Sequence, residues 1–335
     1  MKLHYLGTAA AEAIPAVWCN CEVCKKIRKT RGKDVRTRSQ VLINDDLMVD
    51  FPQDSYMHML QNDLEFYKLK YVIFTHSHQD HFYPEEFAMR SEGYAAGIEE
   101  PVHVYGNNVC VDRLKNTAEL DEGGRVILHE LKNFEPVQIG DYLVTPLTAH
   151  HDPRENCLIY SIESDGKRLL YSNDTGEYPE ETWDYIEQNH LKFDLLSMDC
   201  TIGMKDSRDY HMGYPNILKM KERFAKNGLI DEHTKIIATH YSHNFYLQWI
   251  VDMGIAGIFL YAGIIATCFT EIYRVREKNT LIRNASLAMG GAMIGYLFQG
   301  VAENLWYNYR MILIFWIYMA LLESAVWISE KKGEV

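Results

Sequence analysis

Seven consecutive residues, Thr75-His76-Ser77-His78-Gln79-Asp80-His81, put three imidazoles and a carboxylate on one short loop. His76 and His78 alternate and can turn toward one cation, while Asp80 and His81 turn toward a second. The loop follows an aromatic and β-branched run, 71–75, and a strand end lets ligands converge without distorting a sheet. A second group of donors is Cys19-Asn20-Cys21-Glu22-Val23-Cys24. Thiols this close pair awkwardly as disulfides and suit a metal in a reducing compartment. A closed zinc site takes four ligands. His243, in Thr239-His240-Tyr241-Ser242-His243, is the natural fourth, and such a zinc would pin the N-terminal loop beside the loop after Thr239.

Positioning these groups requires a strand-rich domain. Alternation and β-branched content predict strands at 2–6, 40–43, 47–49, 71–75, 102–105, 126–129, 142–148, 158–163, 168–171, 195–198 and 235–238. Helical patterns fall at 54–64, 107–118, 179–189 and 214–226. Strands with interspersed helices imply a layered α+β domain. The 335 residues, 47% hydrophobic and 24% charged, exclude wholesale disorder and suggest two units. With 34 Lys and Arg against 46 Asp and Glu, the net charge of −12 argues against a general polyanion binder. The first residues lack the long apolar run of a secretion signal.

The loop 75–81 resembles the HxHxDH signature of the metallo-β-lactamase fold hydrolases, and further pieces of that pattern follow in order. Asp50, closing Leu47-Met48-Val49-Asp50, matches an acidic residue that orients the His-rich loop. In Thr148-Ala149-His150-His151, the spacing favours His151 over His150 as the third His of the first metal. Asp174, in Ser172-Asn173-Asp174-Thr175-Gly176, matches the carboxylate that bridges two metals, and His240 matches the last ligand of the second. Leu6-Gly7-Thr8, the CxCxxC cluster, the His-rich loop and THxSH together resemble the cyclic phosphodiesterase of the bacterial carbon–phosphorus lyase pathway and its relatives. The resemblance covers residues 1–243.

It implies an αββα sandwich whose first metal takes His76, His78 and His151 and whose second takes Asp80, His81 and His240, with Asp174 shared. Imidazole and carboxylate suit Zn, Mn or Fe. Two such ions lower the pKa of a trapped water toward roughly 7 and ready a hydroxide for in-line attack. The implied reaction is cleavage of a small cyclic or nucleotide-like phosphodiester, with His211 as general acid. The alternatives are a thioesterase or a ribonuclease Z-like nuclease on the same core, although no long basic arm for tRNA is visible. Arg36 and Arg38 could meet a phosphate, but a solvated basic face suits them better; Cys110, Cys157 and Cys200 read as packing residues. The expected partners are a small phosphodiester and no stable nucleic-acid complex, with a homodimer left open. The expected location of the hydrolase is the cytoplasm.

After Asn244 the pattern changes. Residues 254–269, 286–302 and 311–328 are apolar and of borderline spanning length. They predict a three-helix hydrophobic tail over 245–335, membrane-associated if it inserts, in place of the strand that closes the sandwich in relatives. The tail resembles the C-terminal part of O-antigen ligase membrane proteins, which admits a membrane ligase fragment carrying a passenger hydrolase. Lys and Arg at 274–283 and 331–332 put both flanks in the cytoplasm and the hydrolase outside. That conflicts with a thiolate zinc site, and a joined reading frame is the favoured account.

Overall fold

The computed structural model describes residues 1–117, 120, 123–240 and five isolated positions beyond, 263, 266, 270, 273 and 317. Two compact units divide the chain: Met1–Trp18 with Arg31–Ser242, and Cys19–Thr30 with His243–Val335. The first unit holds two six-stranded sheets. In chain order the first sheet comprises β1 (Leu3–Gly7), β2 (Gln40–Ile43), β3 (Leu47–Val49), β4 (Tyr71–Ile73), β5 (Val102–Gly106) and β6 (Val126–Glu130). β1 to β3 pair antiparallel and β3 to β6 parallel. The second sheet comprises β7 (Val137–Ile139), β8 (Tyr142–Thr148), β9 (Leu158–Ser164), β10 (Lys167–Ser172), β11 (Leu195–Asp199) and β12 (Lys235–Thr239). β7 to β10 pair antiparallel and β10 to β12 parallel, so each sheet is mixed and the fold is α+β.

The period-two alternation of the strands builds the layers. Val41, Ile43, Leu47, Val49 and Ile73 face the second sheet and meet Val144, Leu158, Tyr160, Ile162 and Tyr171. Their neighbours Leu42, Met48, Val72 and Phe74 face outward against Phe82, Phe87, Cys110 and Leu114. Helices α2 (Ser55–Gln61), α3 (Asn108–Thr117), α4 (Glu180–Gln188) and α5 (Tyr214–Lys226) complete the unit. On α4 and α5, the Trp183 and Phe224 rings meet at 4.7 Å, tilted by 53°, and join Tyr178 and Phe193.

Helix α1 (Glu22–Thr30), absent from the sequence expectation, lies in the second unit and buries Val23, Cys24 and Ile27 at helical spacing. The three-residue β7 was also unanticipated; it is too short for an alternation to register. β12 ends the second sheet among the described residues. The hydrophobic tail expected over 245–335, with its membrane-ligase resemblance, lies outside the described residues apart from the isolated positions. Among the described residues no helix is long and apolar enough to cross a membrane.

Candidate metal centre

The site forms where strands of both sheets end. Asp50 follows β3, the His-rich loop follows β4, His151 follows β8, Asp174 follows β10, and His240 follows β12. Asp50, Asp174 and His240 all have left-handed backbones, with φ of 63°, 52° and 67°. A left-handed non-glycine residue costs on the order of 1–2 kcal/mol. The chain turns sharply at these strand ends, and the acidic or imidazole side chain is fixed there.

Two donor clusters result. His76, His78 and His151 present ligand atoms within 4.8 Å of one another, as do Asp80, His81, Asp174 and His240. Asp174 stands between them: its Oδ2 lies 4.0 Å from His76 Nε2 and against His81 Nε2, and its Oδ1 lies 3.2 Å from His240 Nδ1. His150, the rival to His151, is half exposed and faces Asp209 at 3.9 Å instead.

Hydrogen bonds behind the rings fix their tautomers. His81 Nδ1 donates to Asp50 (2.7 Å), His78 Nε2 to Asp152 (2.8 Å) and His151 Nδ1 to the Tyr210 carbonyl (2.9 Å). Thr75 Oγ1 donates to Asp50 and so accepts from His76 Nδ1 (2.9 Å). Thr201 Oγ1 donates to Asp199 and so accepts from His240 Nδ1 (2.7 Å). The second nitrogen of each ring is left over from these bonds, those of His78 and His151 lying 3.2 Å apart. Four buried atoms, His76 Nε2, His81 Nε2, His240 Nε2 and Asp174 Oδ1, have no hydrogen-bond partner. Buried polar atoms are normally satisfied. An inward-facing set of orphaned nitrogens around one carboxylate fits divalent cations such as zinc.

The electrostatics reflect the crowding. Burial works against a charge on His81, but Asp174, Asp80 and Asp50 outweigh it and hold its pKa well above the usual range. Burial and the neighbouring His81 push His76 well below it. Asp174 is desolvated, yet His240, His81 and His76 keep it ionised far below the ordinary carboxylate range. His211 Nδ1 sits 3.0 Å from Asp199 Oδ2 and 3.3 Å from Asp174 Oδ1. Burial opposes its protonation, but the bond to Asp199 prevails and raises its pKa to about 9.

Several functional neighbours were not anticipated. Asp199 binds His211, Thr201 and the backbone amides of Asp174, Thr201 and Met212. Its signal was available, because Leu195–Asp199 ends in an acid after an apolar strand just as 47–50 does. Asp152 and Glu155 lie beside His78 and carried no pattern of their own. Arg38, offered as a phosphate contact, is committed elsewhere: its guanidinium pairs with Asp54 (3.0 Å) and binds the Ala11 carbonyl. In the second unit the thiols of Cys19, Cys21 and Cys24 lie within 4.8 Å of one another. Backbone and thiol hydrogen bonds from Cys21 lower the Cys19 pKa. The proposed fourth ligand, His243, lies outside the described residues.

Residues 47–241, more than half of the chain, match the model of the beta-lactamase superfamily domain. The chain belongs to this family. Its fold is shared with a diphosphatase from the PhnP family, at 19% identity and TM-score 0.54 over 72% of this chain and 86% of that one. The metallo-β-lactamase fold protein YhfI from Bacillus subtilis matches at 18% identity and TM-score 0.51, over 72% and 86%. Human tRNase Z, short form, matches at 17% and 0.51, over 72% and 93%. At such identities the likeness is one of fold, and none of these matches supports the membrane-ligase resemblance of the tail. No curated protein matches the chain. The family and the donor clusters together make this protein a metal-dependent hydrolase.

Proposed function

We propose that the hydrolase cleaves a small cyclic or nucleotide-like phosphodiester at a centre holding two divalent ions. His76, His78 and His151 would hold one ion, Asp80, His81 and His240 the other, and Asp174 both. When bound, such a pair supplies a water nucleophile at neutral pH and positive charge for the phosphoryl oxygens. The observation that carries the reading is the Asp199–His211 pair beside Asp174. Asp199 accepts from Nδ1 of His211 and leaves Nε2 without a hydrogen-bond partner among the described residues. A cleft of about 270 Å3, lined by Thr148, His151, Asp152 and Tyr210 among others, opens beside His151, whose ring lies 5.0 Å from that of His211, and has room for a small substrate. His211 would give its proton to the departing alkoxide, the step that separates diester cleavage from hydrolysis of an activated ester.

Asp50 and Asp199 act through the residues they hold. Asp50 orients His81 and, through Thr75, His76; Asp199 orients His211 and, through Thr201, His240. Gly176 contributes in a different way. A Cβ there would meet the Arg208 carbonyl oxygen at 2.0 Å, so only glycine lets the loop bearing His211 approach the Asp174 turn this closely. A third ion, zinc on Cys19, Cys21, Cys24 and His243, belongs to the same reading as a structural element. The diphosphatase and tRNase Z that share the fold are consistent with phosphoester chemistry.

The test compares bis(p-nitrophenyl) phosphate, an alkyl-leaving-group diester and a thioester on protein loaded with Mn or Zn. The reading predicts diester turnover, with His211→Ala slowing the alkyl diester far more than the nitrophenyl one. Turnover of the thioester alone, indifferent to His211→Ala, would replace it with a thioesterase. Cleavage of tRNA in preference to both diesters would replace it with a nuclease.

A further inference from the structure

On the outer side of the first sheet lies a cavity of about 340 Å3 that phosphodiester hydrolysis does not employ. Phe51, Phe66, Leu69, Val72, Phe87 and Val102 form its walls and belong to the outer-face core. Large side chains stay exposed at its rim: Tyr56 on α2, Tyr67, and Met89 in the 3-10 turn Pro84–Arg90. Lone exposed apolar residues are ordinary, but several around one apolar hollow mark a binding surface.

One wall is cationic. Arg90 lines the cavity, and its Nε and Nη2 donate to the carbonyls of Arg125 (3.3 Å) and Glu100 (2.8 Å). Arg125 Nη1 donates back to the carbonyls of Arg90 (3.2 Å) and Ala95 (2.9 Å). Both guanidiniums are half-buried, and among the described residues neither forms an ion pair with a carboxylate. Glu86, the acid on the cavity's lining, is exposed. Burial and the neighbouring Arg125 both press the Arg90 pKa down, as expected for a cation without a counter-charge. Arg90, partly desolvated on the lining of an apolar hollow with Arg125 bonded behind it, is complementary to an anion with an apolar body.

We propose that this cavity binds an amphipathic carboxylate of the medium-chain fatty-acid class, its chain between Phe51, Val72 and Phe87 and its head group on Arg90. A volume near the lower end for ligand pockets suits one short chain. A docked protein would need roughly 800 Å2 of contact per partner.

The experiment is calorimetric titration of the full chain with decanoate, and with decanol as the uncharged probe. Decanoate should bind saturably at one site, about ten-fold more tightly than decanol. Arg90→Gln should erase that ten-fold advantage and leave decanol unaffected. Met59→Trp and Ala95→Leu, which fill the cavity from two sides, should each abolish binding of both probes while melting close to the wild type. Having two such variants guards against one that fails to fold. Decanoate binding should persist in Asp174→Ala; its loss there would place the carboxylate at the metal centre and overturn the proposal. So would non-saturable binding, or an Arg90→Gln variant with undiminished affinity for decanoate. Concentration-dependent dimerisation broken by Met59→Trp, without decanoate binding, would assign the surface to a second copy instead.

Discussion

The two donor clusters that share Asp174 are built differently. The one formed by His76, His78 and His151 is backed by the Thr75 hydroxyl, the Tyr210 carbonyl and the Asp152 carboxylate, and one of its rings reaches solvent. Its direct carboxylate support is Asp152 on His78, paired in turn with Arg154, and Asp50 reaches His76 through Thr75; the His78 side chain is 35% exposed. The cluster of Asp80, His81 and His240 is wholly buried, contains a second carboxylate of its own, and is backed by Asp50 and by Asp199 through Thr201. More negative charge in lower dielectric favours a cation more strongly. The deep cluster should therefore keep its ion, and the shallow one, whose His151 lines the cleft, should exchange first.

The largest effect tests what the clusters share. Asp174→Ala should lower diester turnover by roughly 10³-fold or more, because it removes a ligand common to both. Metal analysis should show the loss of both ions from this centre, and loss of only one would confine Asp174 to a single cluster. His211→Ala should reduce turnover of an alkyl diester by roughly 10²–10⁴-fold without changing metal content.

A pH effect probes the support behind the deep side. His58 is buried, bonded to Gln40 and Thr37, and Gln40 in turn binds the Asp50 carbonyl. Burial, partly opposed by Asp54, lowers its pKa from 6.5 to about 4. The unfolded chain takes up this proton near pH 6.5 and the folded chain only near 4. Stability is thus complete above pH 6.5 and falls as pH drops through that window, by on the order of 3 kcal/mol. Urea unfolding at pH 7 and pH 4.5 should show a drop that His58→Gln removes; equal drops in both proteins would deny the role of this ring. Asp152→Asn should weaken one of the two ions about 10–100-fold and spare the other. Cobalt titration followed by absorbance would read this, and equal weakening of both would erase the distinction between clusters. Arg38→Ala, at the small end, should leave turnover within about two-fold, since its guanidinium pairs with Asp54 rather than facing the centre.

The His-rich loop was legible because its donors are adjacent in sequence, and the strands because alternation is local. Predicted strands match observed ones to within two residues. Asp174, His151 and His240 were singled out through their order along a known pattern, not through any local signal. Asp152, Asp199 and His58 gain their parts only from contacts across the fold: Asp199 meets His240 from 41 positions away, and His58 meets Gln40 from 18. Helix α1 was obscured because its cysteine drew a metal reading, although Val23, Cys24 and Ile27 keep helical spacing.

The central claim, a two-ion phosphodiester hydrolase organised around Asp174, meets its most direct test in one assay. Bis(p-nitrophenyl) phosphate turnover is measured on Mn-loaded wild type and Asp174→Ala, with metal content determined on the same samples. The account predicts turnover and bound metal in the wild type and loss of both in the variant, beyond whatever Cys19, Cys21 and Cys24 retain. Undiminished turnover in Asp174→Ala, or no diester turnover by a fully loaded wild type, would contradict it.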